Sequence, residues 1–202
     1  MSAEDPATNP AAVVIGASAG AIGALNQILP ALPADYPLAV LVVVHIPPDR
    51  PSGLARLYSG RCAMAVKEAE DKEEVQAGTI YFAPPNYHLL VDPDYILSFS
   101  NDEAVLYSRP AVDVLFESAA DAYGSDLTGV VLTGASADGA EGLRAIMAAG
   151  GSALVQDPAT AESSSMPRAA IAACPEARVL SLRGIADELL KPSTTLPSPL
   201  TQ

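Results

Sequence analysis

Gly16-Ala17-Ser18-Ala19-Gly20 sets a serine among small residues, directly after the apolar run Ala12–Ile15 and before the helically spaced Ala21, Leu25, Ile28 and Leu29. A glycine-rich turn in that position has three candidate meanings. A dinucleotide fingerprint needs G-x-G-x-x-G and an acid at the end of the second strand. Counted from Gly16, the second and third glycines would be Ser18 and Ala21, and the acid would be His45, so the fit is bad. No Gly-Lys-Ser/Thr follows, which excludes a phosphate P-loop. Serine is also among the best helix N-caps, and these five residues alone favour that role. The third meaning is a nucleophile. A sharp turn after a strand exposes the hydroxyl at the sheet edge, and backbone N–H groups at the helix start stabilise an oxyanion. That reading requires a base.

The chain has two histidines. His45 closes the apolar run Val42-Val43-Val44 and precedes Ile46-Pro47-Pro48, so it reaches the sheet edge that carries Ser18. The bland alternative is a half-exposed strand-end residue. His88 follows Pro84-Pro85-Asn86-Tyr87 and reads as surface or structural. The third member should come from another strand end, and Asp138 follows the strand Gly129–Leu132 through Thr133-Gly134-Ala135-Ser136-Ala137. Its spacing to Glu141 also fits a capping box. Both roles are compatible, since an ionised carboxylate has about four acceptor sites. In that arrangement Asp138 holds Nδ1–H of His45, and Nε2 takes the Ser18 proton. The order Ser…His…Asp differs from that of the α/β-hydrolases and of the familiar proteases.

These three residues need strands to carry them. Half of the 202 residues are hydrophobic, with three Phe, seven Tyr and no Trp, and the mean hydropathy is +0.25. A core of small aliphatics suits helices on a parallel sheet, whose strands are buried on both faces. Strand and helix signals alternate at both ends of the chain, around a punctuated middle. There, short strands at Ala65–Glu68, Thr79–Ala83, His88–Val91 and Tyr95–Phe99 suggest an antiparallel excursion. The expected fold is an open, mostly parallel, doubly wound α/β sheet with helices on both faces and that excursion appended. Residues 1–10 read as a flexible lead, 11–191 as one domain and 192–202 as a flexible Pro/Ser/Thr-rich tail.

A net charge of -13 makes nucleic acid a poor partner. The polar start is not a signal peptide. The apolar run Leu38–Ile46 falls far short of the roughly 20 residues that span a bilayer, so membrane insertion is not expected. Cys62 and Cys174 read as free thiols in a cytoplasmic protein. No Cys/His cluster has metal-ligand spacing, and no cofactor is expected.

The chain resembles the catalytic domain of the CheB-type protein-glutamate methylesterases from about residue 12 to 190. The matching blocks are VVIGASAGAIGAL, VVVHIPP, VKEAEDKEEVQAGTIYFAPPNYH, SRPAVDVLFES, GVVLTGASADGAEGL and VQDPATAESSSMPRAAI. The resemblance implies a catalytic triad of Ser18, His45 and Asp138, with Ala19, Gly20 and Ala135 as oxyanion neighbours. It implies hydrolysis of glutamate γ-methyl esters on the cytoplasmic helices of chemotaxis receptors, releasing methanol through an acyl-enzyme. It also leaves room for glutamine deamidation at the same sites.

Departures surround the triad. The family's S-T-G-G is Ser18-Ala19-Gly20-Ala21 here, a frequent Met is Ala135, and a histidine before Arg-Pro is Ser108. They bear on substrate preference and rate. With about ten residues before the first strand, the family's N-terminal phospho-receiver domain is expected to be missing from this chain. An esterase with a non-receptor substrate, and a non-catalytic scaffold or nucleotide-binding module, stay open as alternatives.

Overall fold

The apolar runs that flank Ser18 and His45 form the centre of a seven-stranded parallel sheet. The computed structural model describes residues 11–46 and 52–191. The lead and tail expected at 1–10 and 192–202 lie outside the described residues. In chain order the strands are β1 (Ala12–Ala17), β2 (Ala39–Val44), β3 (Ala65–Glu68), β4 (Thr79–Phe82), β5 (His88–Val91), β6 (Leu97–Ser100), β7 (Leu127–Val131), β8 (Ser152–Gln156) and β9 (Arg178–Leu180). The α-helices are α1 (Ala21–Ile28), α2 (Leu54–Ser59), α3 (Val112–Tyr123), α4 (Ala140–Ala148), α5 (Ser165–Ala173) and α6 (Leu182–Leu189).

Strand order is β3-β4-β2-β1-β7-β8-β9, with every pairing parallel. Every residue of β1 and β2 is buried, as strands covered on both faces require. Alternate side chains divide between two cores. Val14, Leu41 and Val43 pack with Phe116 of α3, Ile146 of α4 and Met166 of α5. Val13, Ile15, Val40 and Val42 pack on the other face with Leu25 of α1, Tyr58 of α2 and Ile185 of α6.

The expected four-strand antiparallel excursion is corrected. Only β5 and β6 pair antiparallel. β3 and β4 extend the main sheet as parallel strands beside β2. Their partners are remote in sequence, and short alternating segments carry no signal of which remote edge they join. Pro110 suits the first turn of a helix by residue type, but α3 begins at Val112, two residues after it.

Gly16 has a packing reason. A Cβ there would lie 2.3 Å from Cγ1 of Val112, so glycine lets the start of α3 rest on the end of β1. That contact brings the α3 N-terminus to the edge occupied by Ser18 and His45. Both cysteines are free, with Cys174 buried.

Candidate active site

β1, β2 and β7 are neighbours, so their carboxyl ends deliver Ser18, His45 and the Thr133–Asp138 loop to one edge of the sheet. Open α/β sheets place their working groups there. The register is tight. Gly16 pairs with Val43 and Val131, and His45 N–H extends the ladder to the Ala17 carbonyl at 3.1 Å.

Ser18 does not cap α1. Gly20 occupies the cap position with φ 81°, and no side chain bonds to the helix N-terminus. Ser18 N–H donates to the Thr133 carbonyl at 2.9 Å, and the Ser18 carbonyl accepts from Ala21 N–H at 3.0 Å. The turn is therefore held by backbone, and the half-buried hydroxyl is not committed to the helix. Gly134 presses against it from the next loop: a Cβ there would lie 2.9 Å from Ser18 Cβ and 1.9 Å from Met166 Sδ.

Asp138 is fully buried and its Oδ2 lies 2.7 Å from Nε2 of His45, whose side chain is 12% exposed. The expected ring orientation is thus reversed. The nitrogen farther from the backbone reaches down to Asp138, leaving Nδ1 free. Asp138 does cap a helix, but a different one from that predicted. Its Oδ2 accepts from Val112 N–H at 2.7 Å and its Oδ1 from Asp113 N–H at 2.9 Å, so it caps α3. Glu141 pairs with Arg144 instead of closing a capping box. The start of α4 is capped from α3: Asp113 Oδ1 accepts from Gly139 N–H at 2.9 Å and Gly142 N–H at 2.7 Å. The two helices cap each other through two buried carboxylates.

The electrostatics separate the pair. Burial alone would raise the Asp138 carboxyl, but hydrogen bonds from His45 and from the backbone N–H groups of Asp113 and Val112 outweigh it and hold it below the ordinary value. Asp138 is therefore an anion facing His45. Burial pushes Asp113 up to about 6, opposed by its bonds from Gly142 and Gly139 and reinforced by the Asp138 charge.

Thr133 ties three loops together. Its hydroxyl donates to the Ala19 carbonyl at 2.8 Å and accepts from Ser163 N–H at 2.9 Å, while its own N–H donates to Gln156 Oε1 at 2.9 Å. Ala19 and Ala135 are exposed. Among the described residues, the backbone N–H groups of Ala19, Gly20 and Ala135 take part in no hydrogen bond. They lie beside Ser18 as free donors. His88 is buried rather than at the surface. Its Nδ1 accepts from Ala111 N–H at 3.2 Å and its Nε2 lies 3.1 Å from the Glu103 carbonyl, a structural role.

Two cavities meet at His45. One, of about 340 Å³, is lined by Ser18, Ala21, Ile22, His45, Leu54 and Glu162 among others. The second, of about 430 Å³, lies across His45 and includes Asn86, Tyr107, Ser108 and Arg109. Asp113, Thr133, Gln156, Glu162 and Arg109 were not singled out from the sequence. Only the spacing of Asp113 behind Pro110 offered a hint, as an acid in a first helical turn.

Fold and cluster together define an open α/β protein that gathers a serine, a histidine and a buried aspartate at the carboxyl edge of its sheet. The chain belongs to the CheB methylesterase family, whose model matches residues 13–189. A Leptospira interrogans relative, provisionally named a protein-glutamate methylesterase/protein-glutamine glutaminase, is 48% identical over 180 residues, covering 89% of this chain and 93% of its own. A Symbiobacterium thermophilum protein-glutamate methylesterase/protein-glutamine glutaminase is 40% identical, over 89% of this chain and 49% of its own. The chain thus spans about half of that relative. The crystal structure of the Thermotoga maritima CheB methylesterase catalytic domain superposes with a TM-score of 0.86 at 33% identity, covering 90% of this chain and 98% of that one. Among the described residues no helix is long and apolar enough to cross a membrane.

Proposed function

We propose that this chain hydrolyses glutamate γ-methyl esters on chemotaxis receptors with Ser18 as nucleophile, His45 as base and Asp138 as the orienting carboxylate. The observation that supports this most is the 2.7 Å contact between His45 and the buried Asp138, at the rim of the cavity that also holds Ser18. Asp138 fixes the ring and its tautomer, so the nitrogen left free accepts the Ser18 proton as Oγ attacks the ester carbonyl. The oxyanion then forms against the N–H groups of Ala19, Gly20 and Ala135, which are free to donate. Its collapse breaks the ester C–O bond. Methanol leaves with the proton returned by His45, and the substrate acyl group stays on Ser18. Water, deprotonated by the same histidine, releases the glutamate carboxylate and restores the serine. A glutamine side chain follows the same course with ammonia as leaving group. No step requires a metal or cofactor. The substrate would be the cytoplasmic receptor helices, which places the protein in the cytoplasm.

The test is methanol release from methyl-labelled receptor membranes, run beside fluorophosphonate labelling of the wild type and Ser18→Ala. The expected result is stoichiometric labelling abolished by Ser18→Ala, with a rate loss of about 10⁴-fold or more. Labelling at another residue refutes the catalytic assignment. Labelling at Ser18 without methanol release from any receptor refutes the receptor substrate. The exposed Ala19 and Ala135 at the rim, where the family pattern carries larger residues, favour that second outcome if the first fails.

A further inference from the structure

The wall across His45 from Ser18 is basic on a protein that is otherwise strongly acidic. Among the described residues, Arg109 is the only lysine or arginine lining either cavity, in a chain of net charge -13. Ion pairs among the described residues involve His45, Lys67, Lys72, Arg144, Arg178 and Lys191, and Arg109 joins none of them.

Neutral acceptors fix the guanidinium instead. Nη1 donates to the carbonyls of Asn101 at 2.8 Å and Asp102 at 2.9 Å, and Nη2 donates to Oδ1 of Asn86 at 2.7 Å. Nε is buried and has no partner among the described residues. An unsatisfied buried donor is costly, more so on a charged group. The cation is therefore held rigid, in no ion pair among the described residues and with one Nη2 N–H left to donate, beside the cavity that shares His45 with the nucleophile.

We propose that Arg109 binds an acidic side chain of the polypeptide substrate, adjacent to the residue whose ester is cleaved. The inference rests on the esterase reading above for the position of the ester. That ester is neutral and belongs at Ser18, so Arg109 on the far side of His45 meets a neighbouring residue. A carboxylate matches both the unpaired positive charge and the remaining Nη2 donor. Glu162 lines the opposite cavity and repels the same group. The acidic neighbour therefore lies on one side of the scissile residue only.

Tyr107 closes the outer wall. It is fully exposed on a two-residue turn, Leu106-Tyr107, with φ of 47° and 66°. Left-handed backbone costs about 1–2 kcal/mol per non-glycine residue. The turn is held by reciprocal bonds between Val105 and Ser108 at 3.1 and 2.8 Å. It sets an exposed aromatic ring on the cavity that Arg109 also lines.

Synthetic peptides carrying one glutamate γ-methyl ester, with glutamate on one flank, on the other, or glutamine on both, test this with the intact protein. In wild type, one acidic flank should raise kcat/KM about tenfold over the neutral peptide, mainly through KM. Arg109→Gln should bring that ratio to near one. Arg109→Lys should keep part of it, and Arg109→Glu should shift the preference to a lysine-flanked peptide. A merely structural arginine would not make preference follow substrate charge, and thermal unfolding of each variant checks the fold. Binding of the same peptides to Ser18→Ala, followed by fluorescence anisotropy, gives the ratio without hydrolysis. Hydrolysis or binding with equal preference in wild type and Arg109→Gln overturns the inference and leaves the esterase reading intact. Arg109-dependent binding with no hydrolysis of any peptide does the reverse.

Discussion

Replacing Asp113 by asparagine removes one buried charge while leaving its hydrogen bonds available. Both backbone donors that Asp113 serves, Gly139 N–H and Gly142 N–H, go to the single oxygen Oδ1. An amide oxygen takes over both. The amide also places no negative charge beside Asp138, whose charge helps to raise Asp113. What changes is titration. Burial raises Asp113 from 3.8 to about 6. Because the folded value lies above the unfolded one, the native state holds this proton more tightly. The stability it confers is complete below about pH 4 and is lost as pH rises through about 6. A shift of this size amounts to about 3 kcal/mol once both states are ionised.

Urea unfolding of wild type and Asp113→Asn from about pH 4 to about pH 8 isolates this contribution as the difference between two curves. The variant should match wild type at the acid end and be more stable by about 1–3 kcal/mol at the alkaline end. Asp113→Ala, which leaves the start of α4 uncapped, should lie about 1–3 kcal/mol below the asparagine variant at every pH. Parallel curves for wild type and the asparagine variant, or a less stable variant at pH 8, refute the reasoning.

Asp138→Asn should lose activity by about 10⁴-fold in kcat, the scale for turning an orienting carboxylate into an amide. Its single oxygen cannot serve His45, Val112 and Asp113 as the carboxylate does, so unfolding should also show a loss of about 1–3 kcal/mol. Thr133→Val strands the Ala19 carbonyl and Ser163 N–H, and should cost about 1–3 kcal/mol by urea unfolding. With the Ser18 turn loosened, fluorophosphonate labelling should slow about tenfold or more. Gly134→Ala sets a methyl against Ser18 Cβ and Met166 and should destabilise by about 1–3 kcal/mol. In a Met166→Ala background the same substitution should cost less, and an equal cost in both backgrounds would locate the clash at Ser18 alone.

The sequence makes the central strands and their cargo legible because both depend on local pattern. Val40–Val44 can only be a strand buried on both faces, and Ser18 and His45 stand at strand ends wherever the partners lie. What escapes is set by contacts remote in sequence. The short segments at Ala65–Glu68 and Thr79–Phe82 alternate as an edge hairpin would, and only tertiary pairing makes them parallel. Asp138 and Glu141 have capping-box spacing, yet the carboxylate turns to α3 because Gly16 lets that helix settle on β1. The His45 ring orientation follows from the depth of Asp138, which no spacing encodes. Arg109 sits among ordinary loop residues, and the carbonyls that fix it are invisible in residue type.

The mutual capping of α3 and α4 has a consequence for cooperativity. Neither helix start is satisfied until the other is docked, so the amides of Val112, Asp113, Gly139 and Gly142 close as one unit. In hydrogen exchange such a unit opens all at once or not at all. The carboxylate that steers His45 is a member of that unit. Local loosening of Asp138 therefore requires undoing a whole helix–helix junction, and the orientation of the His45 ring inherits the free energy of that larger opening.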